Sequence, residues 1–560
     1  MSKVGFGVLN WVVLGAYLLA MLGVGAYFTR KASKNTDSFF KAEGHIPAWA
    51  AGFSIYATTL SAITFMSTPE QAFLSDWAYA IGSFSILIII PILVKFYIPF
   101  FRKLKVTTAY EYLEERFSPV MRAISSLLFV LYHISRVAIV IYLPIIAITS
   151  VSNINPILIA CVVGGLCILY TFLGGIEGVI WSDVIQGFLL LGSALLICVL
   201  GIFYIKGGFG TVVNDVVTNH KFISGNDFNI GNLSKFVPLI LAGQIFNSLY
   251  QYTGSQDVVQ RYQTTATIKD TNKSMYTNGW LALITIPLFF GMCTILYSFY
   301  QHTAALPAGF NTSAVVPYFV ITQMPAGVAG LVIAGIFAAA QSTIASSLNA
   351  ISSCVITDFK QRFFNDKFKN SNDVTLARGI IIIAGVLGLV IAGIFAAAQS
   401  TIASSLNAIS SCVITDFKQR FFNDKFKNSN DVTLARGIII IAGVLGLAVA
   451  IYLLMGNASQ IWNLFLSVTG IFGVPIAGIF AVGIFTKRAN TVGVLTGLVL
   501  SVGLSFWVQS LNISSLLVAC VAFISAFVLS YVVSLLFPGG NHDVTGLTVS
   551  TINETYVKKN

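Results

Sequence analysis

Four hydroxyls stand within eight residues at Ala57-Thr58-Thr59-Leu60-Ser61-Ala62-Ile63-Thr64, inside the apolar run from residue 46 to 73. Hydrocarbon offers no hydrogen-bond partner, so mid-span hydroxyls either face a cavity or bond back to their own helix in a packing face of small residues. The first alternative carries chemistry. Polar and β-branched residues at that depth read as a broken helix, whose released carbonyls and hydroxyls hold an ion and a polar solute. A second polar patch, residues 338–347, sets Ala339, Ser342 and Thr343 at i, i+3 and i+4 on one helical face. Two hydroxyls beside a backbone carbonyl are neutral oxygen ligands suited to a hard monovalent cation. If that face meets the break near Ala57 and Leu60, five oxygens converge; the same small residues would also serve tight helix packing.

Arg136, in His133-Ile134-Ser135-Arg136-Val137, lies midway along an apolar span at 120–149, too deep for easy snorkelling. Its planar fork suits a carboxylate. The alternative is a structural pair with an acid such as Asp183, and His133 reads as a packed polar partner. Asp183 sits just inside the cytoplasmic end of its own span, either as a cation ligand or as a hydrogen-bond partner of the loop. Residues 246–255, Phe-Asn-Ser-Leu-Tyr-Gln-Tyr-Thr-Gly-Ser, interrupt another span, five spans after the first break and in the reverse direction. Two broken spans in corresponding positions of inverted halves point to a transporter's central site. Residues 255–262 then leave on the cytoplasmic side, where charges cost little and can form a gate.

The elements that must position these groups follow from composition. The chain has 560 residues, is 56% hydrophobic and 9% charged, and has a mean hydropathy of +0.84. Soluble domains carry about 25% charged residues, so this is an all-α polytopic membrane protein. The net charge of +11 is spread in short clusters between apolar spans, which reads as topology and argues against a nucleic-acid partner. Seven cysteines lie in or at the ends of apolar runs without CxxC spacing, so neither a disulfide framework nor a metal site is indicated. The first span is too long for a signal-peptide core.

Thirteen spans are expected, near 6–29, 47–70, 78–101, 120–149, 155–174, 179–206, 234–256, 277–300, 327–357, 437–455, 459–486, 491–509 and 513–537. With the amino terminus outside, the basic clusters at 30–34, 102–105, 261–273, 360–369 and 487–488 all fall on the cytoplasmic face. The loops 207–233 and 302–324 lie opposite as candidate external lids. Residues 106–118 form a short amphipathic helix expected on the cytoplasmic surface. One transmembrane domain, 1–538, is followed by a short polar cytoplasmic tail, 539–560.

Residues 331–388 and 389–446 are identical over 58 positions. Helices with different jobs do not stay identical, so this is a recent tandem duplication or an artefact of sequence assembly, and not the symmetry of a fold. Each copy holds one whole span, a basic loop and half of the next span, and the junction gives an extra unbroken apolar run, 379–416. A single crossing there would put the second basic loop and Lys487 outside, against the positive-inside rule. A hairpin leaves 38 residues where two crossings take about 40. Removing either copy gives 502 residues and clean alternation, so one copy reads as a passenger.

Taken together, residues 57–67, 133–137, 174–187, 255–262, 338–353 and 483–489 resemble the sodium/solute symporter family, and within it the bacterial sodium/sialic acid symporters. The resemblance implies a LeuT-type five-plus-five inverted repeat with flanking helices, working by alternating access in the cell membrane as a monomer, and no enzymatic activity. It implies a principal Na+ site from the carbonyls of Ala57, Leu60 and Ala339 with the hydroxyls of Ser342 and Thr343; the other copy's equivalents are Ala397, Ser400 and Thr401. It implies sialic acid contacts from Thr59, Ser61, Thr64 and Phe246, with Arg136 on the carboxylate, and a second sodium site around Asp183, Ser342 and Ser346. Ser83 stands where a substrate-contacting Gln is expected, and Ala345 where the second site has a further serine. Symporters for proline, pantothenate or a neutral sugar are rivals within the fold, and Arg136 favours an acid. A sensor would need a signalling domain, and an enzyme a catalytic cluster, that these spans do not offer.

Overall fold

The computed structural model describes residues 6–104, 106–149, 156–233, 235–307, 310, 312–363, 373–397, 466–511, 514–538 and 544–552. Long apolar helices satisfy their own backbone and can stand in hydrocarbon. Among the described residues nine helices are long and apolar enough to cross a membrane, and no strand occurs.

Helix α1 (Val8–Ala32) precedes an interrupted crossing made of α2 (Ala48–Thr59) and α3 (Ala62–Leu74). The interruption expected from the hydroxyl-rich stretch is there: Leu60 is extended, with φ −91° and ψ 114°. The ladder restarts at Ser61, whose carbonyl accepts from the Phe65 amide at 3.0 Å. Next come α4 (Ala78–Leu104), the short α5 (Ala109–Arg116) and α6 (Pro119–Thr149). The spans expected at 155–174 and 179–206 are present as two helices, together labelled α7 (Pro156–Tyr204), that meet at a break at Gly175. Its φ of +54° and the Phe39 carbonyl 3.1 Å from where a Cβ would stand leave room only for glycine.

Outside the membrane-length helices, α8 (Gly208–Thr218) lies in the expected lid loop. The second interrupted crossing follows as α9 (Val237–Leu249), a π turn over Tyr250–Gly254, and α10 (Gln256–Tyr262). Its break, Ser255, has φ −96° and ψ 114°, nearly the dihedrals of Leu60. Helices α11 (Ile268–His302), α12 (Val328–Cys354), α13 (Asp373–Ala397), α14 (Leu466–Phe485), α15 (Thr491–Ser510) and α16 (Ser515–Leu536) complete the described chain.

The first copy of the duplication occupies the middle of the bundle. Helix α12 packs with nearly all its side chains buried, against α7 and α1. The Asn10 side chain of α1 accepts from the Gly327 and Gly330 amides at 2.7 and 2.9 Å, capping α12 across helices. Helix α13 runs without interruption through the 388/389 junction, so the second copy's leading residues finish its last turns. Ser400 and Thr401 lie outside the described residues, as does the Ala397 side chain.

The basic clusters gather on one face. Arg102 donates to the Tyr262 and Ala266 carbonyls at 2.9 Å each, and Arg378 reaches Ser33 at 2.7 Å. Two expectations about that face change. Helix α5 carries its capping box, Glu111 accepting from the Thr107 and Thr108 amides at 2.7 and 2.9 Å. Instead of lying on the surface, it buries Tyr110, Tyr112, Leu113 and Arg116, whose guanidinium donates to the Gly483, Thr486 and Ala489 carbonyls at the end of α14. The polar tail is docked over residues 544–552: Leu547 is buried, its carbonyl accepts from Tyr112, and the Val549 amide bonds the Ile484 carbonyl at 2.9 Å. Buried Leu547, Thr548 and Thr551 give this stretch a face to bury, which its overall polarity conceals.

Candidate functional site

The two interrupted crossings enclose a cavity of about 210 Å³, with the Leu60 break on its wall. Thr59, Leu60, Ser61 and Thr64 line it from the first interrupted crossing, and Asn247, Ser248, Gln251 and Tyr252 from the second; Ser83 of α4 and Thr469 of α14 close its sides. Thr59 bonds back to the Tyr56 carbonyl at 2.9 Å. Both polar atoms of the Asn247 side chain, and Nε2 of Gln251, are buried without a hydrogen-bond partner among the described residues. Each such group costs about 1–3 kcal/mol if left unmet. These amides are aimed at something polar. Asn247 and Gln251 are one turn apart; they belong to the polar interruption read from the sequence but not to the contacts expected there, and their i, i+4 spacing is the available signal.

Beneath the cavity lies a layer of four buried charges. Arg136 does not line the cavity. Its Nη1 donates to Asp257 Oδ2 at 3.0 Å and its Nη2 to the Thr58 carbonyl at 3.2 Å. The break at Leu60 explains the second bond, because the turn that would normally cover the Thr58 carbonyl is missing. The acid that pairs with Arg136 is thus Asp257 and not Asp183, the example the sequence suggested. His133, one turn earlier on α6, bridges Ser347 at 2.9 Å and Ser255 at 3.2 Å, and Ser255 in turn donates to Asp257 Oδ1 at 2.5 Å. Asp183 is held by Arg261 Nη2 at 2.9 Å, Ser342 at 2.6 Å and Ser54 at 2.5 Å. Arg261 also donates to Ser54 at 2.7 Å, to Ser346 at 2.7 Å and to the Asp257 carbonyl.

Sequence reasoning places residues 255–262 among cheap, solvated charges. Asp257 and Arg261 are instead fully buried, because α10 turns inward after the Ser255 break and packs on α12, α2 and α4. Two arginines against two aspartates leave the layer neutral, which is what makes four charges tolerable at this depth.

The remaining expected site residues divide. Asp183, Ser342 and Ser346 come together in this layer, and Thr58 meets Ser346 at 3.0 Å, so α12 touches the residues before the first break. Thr343 donates to the Ala339 carbonyl at 3.2 Å. Phe246 is not on the cavity wall: it stacks on Phe523 of α16, centroids 4.6 Å apart, one residue out of register with Asn247. On the opposite side, Lys221 donates to the Phe73 and Ser75 carbonyls at 2.9 and 3.0 Å, and Thr312 to Glu70 at 2.9 Å. Both expected lid loops therefore clasp the outer end of α3. No cluster of His, Cys, Asp and Glu able to hold a metal occurs among the described residues.

The chain matches the sodium:solute symporter family model over residues 39–387 and 369–501. It is 41% identical to the sodium/sialic acid symporter NanT of Aliivibrio fischeri, over 91% of this chain and 89% of that protein. It is 40% identical to the sodium/sialic acid symporter SiaT of Proteus mirabilis, over 89% and 88%. A solved Na+-coupled sialic acid symporter, substrate-bound and outward-open, superposes with a TM-score of 0.78 at 37% identity, over 95% of this chain and 99% of that one. Mhp1, a nucleobase-cation-symport-1 family transporter in a closed conformation, superposes at 0.52 over 90% and 96% with 13% identity, a likeness of fold alone. With a helical fold of that transporter type, two interrupted crossings and these relatives along nearly its whole length, the chain belongs to the sodium:solute symporter family.

Proposed function

We propose that this protein is a sodium-coupled symporter that carries sialic acid inward by alternating access. The observation that carries the reading is the cavity between the two interrupted crossings, with the Asn247 and Gln251 amides unmet inside it. A hydroxyl-rich, N-acetylated acid is the solute such a wall suits. Thr59, Ser61 and Thr64 contact it from one side and Asn247 and Gln251 from the other. Arg136 reaches its carboxylate only when the pair with Asp257 opens, and Phe246 acts from behind the wall.

One sodium ion is co-transported at the first break, on the carbonyls of Ala57, Leu60 and Ala339 and the hydroxyls of Ser342 and Thr343. The fit is chemical: extended Leu60 carries the Ser61 amide away from the Ala57 carbonyl, freeing a neutral oxygen where a hard cation wants one. Asp183, Ser342 and Ser346 offer a second position. Sodium that braces α2 against α12 favours the solute-competent state, so ion and solute bind cooperatively. Each charge moved inward gains about 2.3 kcal/mol per 100 mV, and uptake is electrogenic when more sodium than solute charge enters. The unit is a monomer with the five-plus-five inverted repeat, thirteen crossings, the amino terminus outside and the tail in the cytoplasm. The first copy of the repeat builds the site and the surplus 58 residues are a passenger.

The test is sodium-dependent uptake of labelled N-acetylneuraminate into proteoliposomes, for the full chain and for chains lacking 389–446 or 398–455. Uptake by all three supports the reading with the surplus tolerated; uptake by the shortened chains alone makes the duplication a lesion. Sodium binding without sialic acid uptake in any of them would keep the fold and overturn the substrate.

A further inference from the structure

Arg261 is the least expected member of the buried layer. Its Nη2 stands 2.9 Å from Asp183 Oδ2 and 2.7 Å from Ser346 Oγ. Ser342 completes the same group, 2.6 Å from Asp183 Oδ1. These are the oxygens through which the proposed second sodium ion would be held, and the guanidinium nitrogen already engages two of them, Asp183 Oδ2 and Ser346 Oγ. Two cations cannot stand there together: in a low-dielectric layer their repulsion is large and the oxygens already face inward on one of them.

We infer that Arg261 is a tethered stand-in for the second sodium ion, and that ion and guanidinium exchange at Asp183. This rests on the sodium-coupled reading above. Asp183 is fully buried, and a buried carboxylate with neither cation would be an uncompensated charge. The arginine supplies the countercharge while the ion is away. It is carried on α10, the inner half of the second interrupted crossing, and is held besides by Ser54 of α2. When sodium takes Asp183, the guanidinium loses its acceptors on α7 and α12 together, and α10 keeps only its bonds to α12 from Gln256 to Ser353 at 3.2 Å and from Gln260 to Asn349 at 2.8 Å. Arrival of the ion thereby loosens α10 against α7 and α12. A merely structural ion pair behaves differently: removing its arginine weakens the fold without making sodium bind better.

The experiment uses the purified full chain in detergent without solute, with choline chloride replaced stepwise by sodium chloride at constant ionic strength. Sodium binding is read by radioactive sodium in a scintillation proximity assay and by the shift in thermal unfolding. Saturable sodium binding by the unaltered protein tests the sodium reading; its absence overturns that reading and this inference with it. In Arg261→Gln the competitor is gone, so half-saturation at the Asp183 position falls by about tenfold, and sodium stabilises this variant more than the parent. Arg261→Lys keeps a charge but cannot reach Ser54, Asp183 and Ser346 at once, so half-saturation falls by about two- to threefold, roughly a third of the logarithmic effect. Should Arg261→Gln not fold, Arg261→Lys decides. An unchanged or raised half-saturation in the variants that fold, while the unaltered protein binds sodium, overturns the exchange.

Discussion

Replacing Asp257 with asparagine isolates the Arg136–Asp257 pair. The exchange is nearly isosteric and leaves Ser255 an oxygen to donate to, so packing and the neutral bonds persist. What disappears is the countercharge of a guanidinium whose side chain is 2% exposed, facing a carboxylate that is 0% exposed. Removing one partner of a buried pair costs about 3–5 kcal/mol, since the other is left uncompensated in a medium that cannot solvate it. The Thr58 carbonyl, 3.2 Å from Arg136 Nη2, is a neutral acceptor and cannot replace that charge. Arg136→Gln costs a similar amount by the converse argument, although Ser255, itself bonded to His133, still holds one side of Asp257. The double variant replaces two charges with two amides and loses much less than the sum, giving a coupling energy of about 2 kcal/mol or more. The assay is denaturant unfolding in one detergent at fixed sodium, repeated at higher salt, where a buried pair changes little. Single variants within about 1 kcal/mol of the parent, or strictly additive ones, would refute the claim that this pair staples α2, α6 and α10 together.

Two further outcomes follow from packing and docking. A Cβ on Gly330 would stand 2.7 Å from the Asn10 Cα and 2.8 Å from its carbonyl, backbone that cannot yield, so Gly330→Ala should cost about 1–3 kcal/mol in the same unfolding assay, whereas Gly165→Ala, with nothing within 4 Å, should cost nothing. Ending the chain at residue 543 removes the partners of Tyr112 and Ile484. Trypsin should then cut faster around Lys103 and Arg116; an unchanged digestion rate would mean the tail does not brace that face.

Legibility in the sequence follows the kind of interaction. The interruptions at Leu60 and Ser255 are readable because hydroxyls, amides and glycine concentrated at membrane depth are costly in an unbroken helix facing lipid. The hydroxyl cluster around Ser342 is readable from its helical spacing. Arg136 stands out as costly, but its partner does not: Asp257 lies 121 positions away, and chain order alone puts it beyond the membrane's polar boundary. Arg261 escapes notice for the same reason. It sits four residues after Asp257 and looks like the start of a basic loop, and only the inward turn of α10 makes it a buried cation. Phe246 falls off the cavity wall because the wall follows one α-helical face, Ile240, Gln244, Asn247, Ser248 and Gln251, to which residue 246 does not belong. Leu547 is lost in a polar tail, where a single buried leucine leaves no period to detect.

The central place held by α12 has a consequence in time. Its sequence exists twice, so side-chain packing alone gives neither copy the better claim to the middle of the bundle. Synthesis does. At about 5–20 residues per second the first copy leaves the ribosome roughly 3–12 s before the second, a delay set by the 58-residue offset. Helices form and pair in far less time than that. By the time the second copy emerges, the slot against α7 and α1 is filled by a segment still joined to Gly327 and capped by Asn10. Order of arrival thus favours the first copy, and a ribosome slowed before residue 389 would only widen the lead.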